Sequence, residues 1–120
     1  MKLPFEPVTE RSDVVLSKWM IWEVNGKNHH IIGWNEKLKE DRVTSRVVAW
    51  DPWNQKARTS SGKIYRLRGL PEECSNSNHV WYRWQINQNI STALNVSAEY
   101  FVSMYRAQLE TRHNQLIKEI

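Results

Sequence analysis

The chain has 120 residues, of which 40% are hydrophobic and 25% are charged. This length and balance fit one ordinary folded domain and exclude wholesale disorder. A single cysteine excludes an intramolecular disulfide, which favours a reducing compartment. The first residues lack the apolar stretch of a signal peptide, and no apolar run reaches the roughly 18 residues of a membrane span. We therefore expect a cytoplasmic protein that has no membrane partner.

The positive charge is concentrated in the middle of the chain. The formal net charge of the whole chain is only +4. Residues 42–68 contain seven basic residues and one acid, which gives this segment a charge of +6 and leaves the rest at −2. Any charge-based recognition is therefore expected to involve this segment.

Residues 1–13 contain two prolines and little periodicity, which predicts an extended N-terminal arm before a single domain over residues 14–120. Two aromatic and aliphatic segments, 17–24 and 29–34, then predict a pair of strands. Between them lies Asn25-Gly26, the strongest short hairpin signal, because both central residues of a type I′ turn need a positive φ.

The middle of the chain predicts further strands. Residues 35–42 are strongly charged and fit a loop or a short helical turn equally well. The β-branched residues of 43–51 predict a third strand, and Asp51-Pro52 ends it, because proline cannot donate a hydrogen bond to a sheet. Residues 55–60 and 63–69 predict a fourth and a fifth strand around Gly62.

The last third of the chain predicts helices. Residues 79–88 fit a short helix or a sixth strand. Asn95 or Ser97 is a candidate N-cap for a long helix. The residues that follow the spacing of one helical face are Ala98, Phe101, Val102, Tyr105, Leu109, Arg112 and Leu116. The predicted fold class is therefore α+β, with an antiparallel sheet of four to five strands followed by one short and one long C-terminal helix.

The lysine after Gly62 raises the question of a phosphate-binding loop. A Walker A loop has a glycine five residues before its Gly-Lys pair, and a serine or threonine after it. Ala57 and Ile64 occupy those two positions here, and the alternating residues that follow predict a strand instead of a helix. Gly62 is better explained as the positive-φ residue of a hairpin turn.

Basic residues recur at strand spacing around that turn. Residues two apart on a strand share a face, so Arg66 and Arg68 are predicted to lie together, and so are Lys56 and Arg58. If the faces of these strands coincide, one basic sheet face carries Arg46, Trp50, Lys56, Arg58, Ile64, Arg66 and Arg68. Such a face suits an acidic protein partner or single-stranded nucleic acid, and a merely solvated face is the remaining alternative. The modest net charge favours the protein partner over nucleic acid.

Seven tryptophans are many for this length, and most are expected in the core. Trp53 follows the Asp51-Pro52 turn, and turns lie on the surface, so Trp53 is predicted to be exposed. An exposed tryptophan beside arginines is typical of a binding hot spot. The predicted partner-binding residues are Arg46, Trp53, Arg58, Arg66 and Arg68.

No residue pattern identifies a catalytic site, a metal site or a cofactor. His29 and His30 are adjacent on a predicted strand, so they are expected to point to opposite faces and not to share one metal. Cys74 lies between Glu73 and Ser75 in a predicted polar loop, and a neighbouring acid raises the pKa of a thiol. We therefore expect no catalytic residues, no metal and no cofactor.

Three stretches of this chain resemble segments found in a group of small proteins. They are RVTSRVVAWDP, ARTSSGKIYRLRGLP and VWYRWQIN. The group is encoded by bacterial phages, plasmids and integrative elements, and the resemblance covers about residues 42–87. It is carried by an aromatic-Asp-Pro turn followed by a T-x-S-G-x-x-Y-x-L-x-G-x-P hairpin. The group has no agreed activity, so the resemblance implies no catalytic residue. It implies an accessory protein that binds a host or element-encoded protein, for example as an inhibitor of host defence.

These observations predict a small non-enzymatic binding module with an acidic protein partner. A nucleic-acid-binding domain that uses the same face is the second hypothesis, and a small enzyme is the third. The apolar residues near the C-terminus, Leu116, Ile117 and Ile120, are expected either to pack on the sheet or to pair with the same helix of a second copy.

Overall fold

The computed structural model describes residues 5–72 and 75–118, and the side chains from residue 80 onwards in the first helix. Its strands are β1 (Val14–Val24), β2 (Asn28–Asn35), β3 (Glu40–Val43), β4 (Val47–Asp51), β5 (Lys56–Thr59), β6 (Ile64–Leu67) and β7 (Ala93–Asn95). Its helices are α1 (Ser75–Asn87) and α2 (Ser97–Lys118). The predicted α+β class and the long C-terminal helix are confirmed, and the strands are more numerous than predicted.

One sheet contains all seven strands, in the order β3-β2-β1-β6-β5-β4, with β7 paired to β1. One edge of β1 pairs with β2, while its other edge pairs first with β6 and then with β7. The β1–β6 pair is parallel, so the sheet is mixed and not purely antiparallel as predicted. The parallel pair arises because the chain reverses direction four times between these two strands, at the turns after β1, β2, β4 and β5.

The strand predicted over 43–51 begins only at Val47, as β4, and residues 44–46 form a short link before it. Strand β3 lies mostly within residues 35–42, which were expected to form a loop or a short helical turn, and this expectation was wrong for its second half. At this link the backbone N–H of Thr44 donates to the carbonyl of Ile31 at 2.9 Å, and the Thr44 hydroxyl accepts from the N–H of Ile31 at 3.0 Å. These bonds hold the link against β2, and β4 also contacts β2. The sheet therefore curls until the strands at its two ends, β3 and β4, are joined by the short link.

The register of β1 shifts between Ser17 and Met20, and Lys18 has a φ of 48° at this bulge. Past the bulge, Trp19 and Ile21 join one buried cluster, while Met20 joins another on the opposite face of the sheet. Apolar side chains therefore cover the first face of the sheet, where α2 packs, and the part of the second face formed by β1–β3, where α1 packs.

Helix α2 packs on the first face through residues other than those of the predicted face. Its buried residues are Ser97, Tyr100, Ser103, Met104 and Ala107. Hydrogen bonds select this side, because the Trp50 indole donates to the Ser103 hydroxyl at 2.8 Å and the Tyr100 hydroxyl lies 2.6 Å from His29 Nδ1. The opposite side carries an exposed apolar stripe, formed by Ala98, Val102, Tyr105, Leu109 and Leu116.

Helix α1 covers the second face of the sheet with two tryptophans. Trp81 stacks on Trp22 at a ring distance of 5.4 Å and on Trp84 at 5.3 Å. These contacts explain why residues 79–88, which fitted a helix or a strand, form part of a helix: Trp81 and Trp84 are three apart and so share a helical face. In the described part of the chain, neither helix is long and apolar enough to cross a membrane.

Candidate functional site

The turn that carries Trp53 is fixed by hydrogen bonds to the carboxylate of Asp51. Asp51 is fully buried, and its Oδ1 accepts hydrogen bonds from the backbone N–H groups of Trp53 and Asn54, both at 3.0 Å. The side-chain amide of Asn54 donates to the other carboxylate oxygen at 2.8 Å. The Asp51 side chain therefore organises this turn. Trp53 is 44% exposed and is the most exposed of the seven tryptophans.

Trp53 lines two hollows. One, of about 390 Å³, is polar and is lined by Trp53, Asn54, Gln55, Lys56 and Arg66. The other, of about 200 Å³, is more apolar, and Trp53 shares it with Phe5 and with Val102 of α2. We call the combined surface of Phe5, Trp53, Lys56, Arg66 and Val102 the Trp53 surface.

The strand faces of β5 and β6 coincide as predicted. Lys56 is paired with Arg66, and Arg58 is paired with Ile64. Trp50, however, does not belong to this face, because its ring is fully buried in the core. The reason is an irregularity in β4, where the register with β5 shifts between Val47 and Ala49 and breaks the simple alternation of sides.

The N-terminal arm lies across this basic face and neutralises part of it. Arg58 forms ion pairs with Glu6 at 3.3 Å and with Glu10 at 2.6 Å. The Lys56 ammonium donates to the backbone carbonyl of Glu10 at 2.9 Å. Hydrogen bonding to its own backbone, together with the pairing to Arg58, lowers the pKa of the Glu10 carboxyl. The charge of Arg58 is therefore paired with acids of the N-terminal arm.

The arm is also fixed by its backbone and by one apolar side chain. Val8 is fully buried, and its N–H donates to Asp51 Oδ2 at 2.8 Å. Further along, Asp13 and Ile64 exchange two hydrogen bonds: the N–H of Asp13 donates to the Ile64 carbonyl, and the N–H of Ile64 donates to the Asp13 carboxylate. The arm thus connects the Trp53 turn with the start of β6.

The remaining predicted arginines lie in different places. Arg68 is exposed and pairs with Glu36 at 3.0 Å. Arg66 is exposed beside Trp53, and no ion pair involves it among the described residues. Arg46 precedes β4 whereas Trp53 follows it, and five residues at about 3.3 Å each separate the two by roughly 16 Å. The structure therefore brings together Trp53 and Arg66 and leaves Arg46 at the far end of the strand.

The two histidines point to opposite faces, as expected for neighbours on a strand. His29 lies between Glu23 and Tyr100, with its Nε2 donating to the Glu23 carboxylate at 3.0 Å and its Nδ1 2.6 Å from the Tyr100 hydroxyl. Burial raises the pKa of Tyr100. His30 packs on Trp84 on the other side of the sheet. In 5–72 and 75–118, no three histidine, cysteine or acidic side chains form a group that could hold a metal ion, and Cys74 lies outside these residues.

Sequence reasoning missed two members of the Trp53 surface, Phe5 and Val102. Phe5 gave no signal because it lies in the arm, although it forms an isolated bridge with Trp50. Val102 belongs to the apolar residues at helical spacing in α2. This spacing predicts a helix but does not show which side of the helix packs on the sheet. Lys56 was placed on the basic face but was not counted among the partner-binding residues.

No family model, no curated protein and no solved structure matches this chain.

Proposed function

We propose that this protein is a non-enzymatic binding module whose Trp53 surface captures an acidic protein. The observation that carries the proposal is the exposed Trp53 ring on a turn fixed by Asp51. A tryptophan on a turn whose backbone is already fixed loses less conformational entropy when a partner covers it, and tryptophan and arginine dominate binding hot spots. An accessory protein of a phage or mobile element, for example an inhibitor of host defence, would use such a surface to capture a host protein.

The charges around Trp53 define the partner. Lys56 and Arg66 line the polar hollow, and no acid lines it among the described residues. Phe5 and Val102 provide apolar contact area in the second hollow, whose lining also includes Arg106, Glu99 and Glu110. The surface therefore fits an acidic segment that also carries an apolar side chain, which is a property of proteins more than of nucleic acids.

The pairing of the other arginines also favours a protein over nucleic acid. Arg58 and Arg68 already have glutamate partners, so the predicted basic row is not a continuous track for phosphates. A strand of nucleic acid would need several free cations along its path. An acidic protein segment needs only the local pair, Lys56 and Arg66.

Affinity capture with matched variants tests this proposal. We expect Trp53→Ala and Arg66→Glu each to lose a protein that the unmodified chain retains from a lysate of the source cells. Arg46→Glu has the same charge change at the far end of β4 and should retain it. The circular dichroism of all variants should be unchanged, because Trp53, Arg66 and Arg46 are all exposed. If no retained protein shows this pattern of loss, the Trp53 surface is not the binding site.

A mobility shift tests the nucleic-acid alternative. We expect no shift of single- or double-stranded DNA or RNA without a terminal phosphate at micromolar protein and low salt, conditions in which non-specific binding by free cations becomes visible. A shift that Arg66→Glu abolishes would assign the same surface to nucleic acid instead.

A further inference from the structure

A second cleft, separate from the Trp53 surface, lies at the opposite end of β4. It has a volume of about 590 Å³, within the range of sites for small ligands. Four parts of the chain form its walls: the β1–β2 turn region, the β3–β4 link, the β5–β6 turn and the end of α1. We call it the His30 cleft, after one of the residues that line it.

The cleft carries one positive charge and no negative charge. Arg46 is the single charged residue in its lining among the described residues, and no ion pair involves it there. A guanidinium binds phosphate or carboxylate through two parallel hydrogen bonds. The first requirement on a ligand is therefore an anionic group.

His30 has a fixed tautomer, so one of its two ring nitrogens is a hydrogen-bond acceptor. Its Nδ1 lies 2.8 Å from the carbonyl of Thr44, which can only accept, so Nδ1 carries the proton. Burial lowers the pKa of His30 below its ordinary value of 6.5, and the opposing hydrogen bond to Thr44 does not outweigh it, while His29 and Arg46 add to the lowering, so the neutral ring predominates at pH 7. The Nε2 atom is then an unprotonated acceptor, and the ligand must offer it an N–H or O–H group.

Some of the other polar side chains of the cleft already have hydrogen-bond partners, and others do not. Asn25 is used, because its Oδ1 accepts from Ser91 and Thr92, and the Ser45 hydroxyl accepts from the N–H of Ser61. The side chains of Asn28 and Gln88 have no hydrogen-bond partner among the described residues. Each side-chain amide offers a donor and an acceptor, the pair of groups that reads the edge of a nucleobase.

We propose that the His30 cleft binds a nucleoside monophosphate, with its phosphate on Arg46 and its base and sugar on His30, Asn28 and Gln88. The ligand is a free nucleotide or the phosphorylated end of a strand, since both present the same chemistry. This site is independent of the Trp53 surface, so the failure of one proposal leaves the other untouched.

A nuclear magnetic resonance titration of the full chain tests the site. AMP, GMP, CMP and UMP are added separately at millimolar concentration, and the indole N–H signal of Trp84 is followed. At least one nucleotide should shift this signal to saturation. Its nucleoside and inorganic phosphate should each bind about tenfold more weakly or worse, since each lacks one half of the contacts. Failure of all four nucleotides to shift the signal would overturn the proposal, and so would equal binding of nucleoside and nucleotide.

Matched variants separate the site from general charge attraction. Arg46→Gln should weaken binding about tenfold, whereas Arg66→Gln removes the same charge at the other end of β4 and should leave it unchanged. Gln88→Ala should weaken binding with no loss of fold, because this side chain is exposed. Equal effects of the two arginine variants would reduce the interaction to bulk charge and overturn the proposal. Binding of a 5′-phosphorylated oligonucleotide as tight as that of the nucleotide would support the site and assign a strand end as its ligand.

Discussion

Asp51 connects the arm, the sheet and the Trp53 turn through one side chain. Burial acts to raise the pKa of its carboxyl, but hydrogen bonds from Val8, Asn54 and Trp53 outweigh it, and the pKa lies below its ordinary value of 3.8. A carboxylate that accepts several N–H groups is held in its ionised form. The charge of Asp51 therefore stabilises the folded state.

Replacing Asp51 with asparagine should lower the free energy of unfolding by about 2 kcal/mol, the usual contribution of hydrogen bonds to a charged group. An asparagine keeps the shape but turns one acceptor into a donor that faces other donors. Urea unfolding at pH 7 measures the loss. Glu110→Gln removes an exposed carboxylate and should change the value by less than about 0.5 kcal/mol, and an equal loss in both variants would contradict this role.

The pH dependence follows from the sign of the shift. Because the pKa of Asp51 is lower in the folded state, its stabilisation is complete above 3.8 and is lost as the pH falls towards the folded value. We expect the unmodified chain to lose more stability than Asp51→Asn between pH 5 and pH 2. Parallel curves for the two proteins in this range would show that Asp51 is not the titrating group.

At the scale of single residues, the turn residues in the sequence predicted the backbone conformation reliably. Asn25 and Gly26 both have a positive φ in the first hairpin, and Gly62 has a φ of 90° in the β5–β6 turn, as their residue types predicted. Arg66 lies on the surface as predicted, whereas Ile64, which was placed on the same basic face, is buried. Turn and strand preferences depend on neighbours in the chain, so they can be seen without the fold. The contact of Asp51 with Val8 could not, because 43 residues separate the two.

At the scale of elements, α2 shows what the sequence could not determine. Its length and start were predictable from apolar spacing and from Asn95, whose Oδ1 accepts the N–H of Ser97 at 3.0 Å. The side that packs was not, because it includes Ser97 and Ser103, whose hydroxyls are buried and hydrogen-bonded. Apolar spacing marks the stripe of Val102, Tyr105 and Leu109, which faces away from the sheet. Buried polar contacts decided the orientation of the helix.

Ser97 provides the test of this arrangement. Its hydroxyl accepts the N–H of Ile21 at 2.8 Å, beyond the β1 bulge. Ser97→Ala should lower the free energy of unfolding by about 1 to 3 kcal/mol, since it leaves a buried N–H without a partner. Thr111→Ala, on the exposed half of the same helix, is the control and should have a much smaller effect in the same urea titration. A negligible effect of Ser97→Ala would mean that another acceptor replaces the hydroxyl.

At the scale of the whole molecule, the sequence predicted the class of fold but not its topology. The parallel β1–β6 pair and the short β7 depend on contacts between distant segments. The arm gave even less signal, although Val8 is completely buried where the arm covers the sheet face that the charges suggested would be open. The basic residues were therefore correctly predicted to lie at the surface. Which of them lack an ion pair depends on the positions of Glu6, Glu10 and Glu36.

The last part of α2 projects from this body. Ala107 is its last buried residue, and residues 108–118 are all exposed. Removing residues 111–120 should therefore change the free energy of unfolding by less than about 0.5 kcal/mol, as for other exposed positions. Urea unfolding of both chains measures this. A larger loss would show that this segment is covered in solution, and light scattering would then tell whether a second copy covers it, as pairing of the C-terminal helices predicts.

The position of Phe5 has a practical consequence for how the partner is sought. Phe5 lines the same hollow as Trp53, and a purification tag joined to Met1 would begin only four residues before Phe5. Helix α2 leads away from that hollow after Glu110, and its eight following residues to Lys118 add about 12 Å of helix. A tag joined at the C-terminus is therefore the arrangement in which a captured protein and the resin do not compete for the same space.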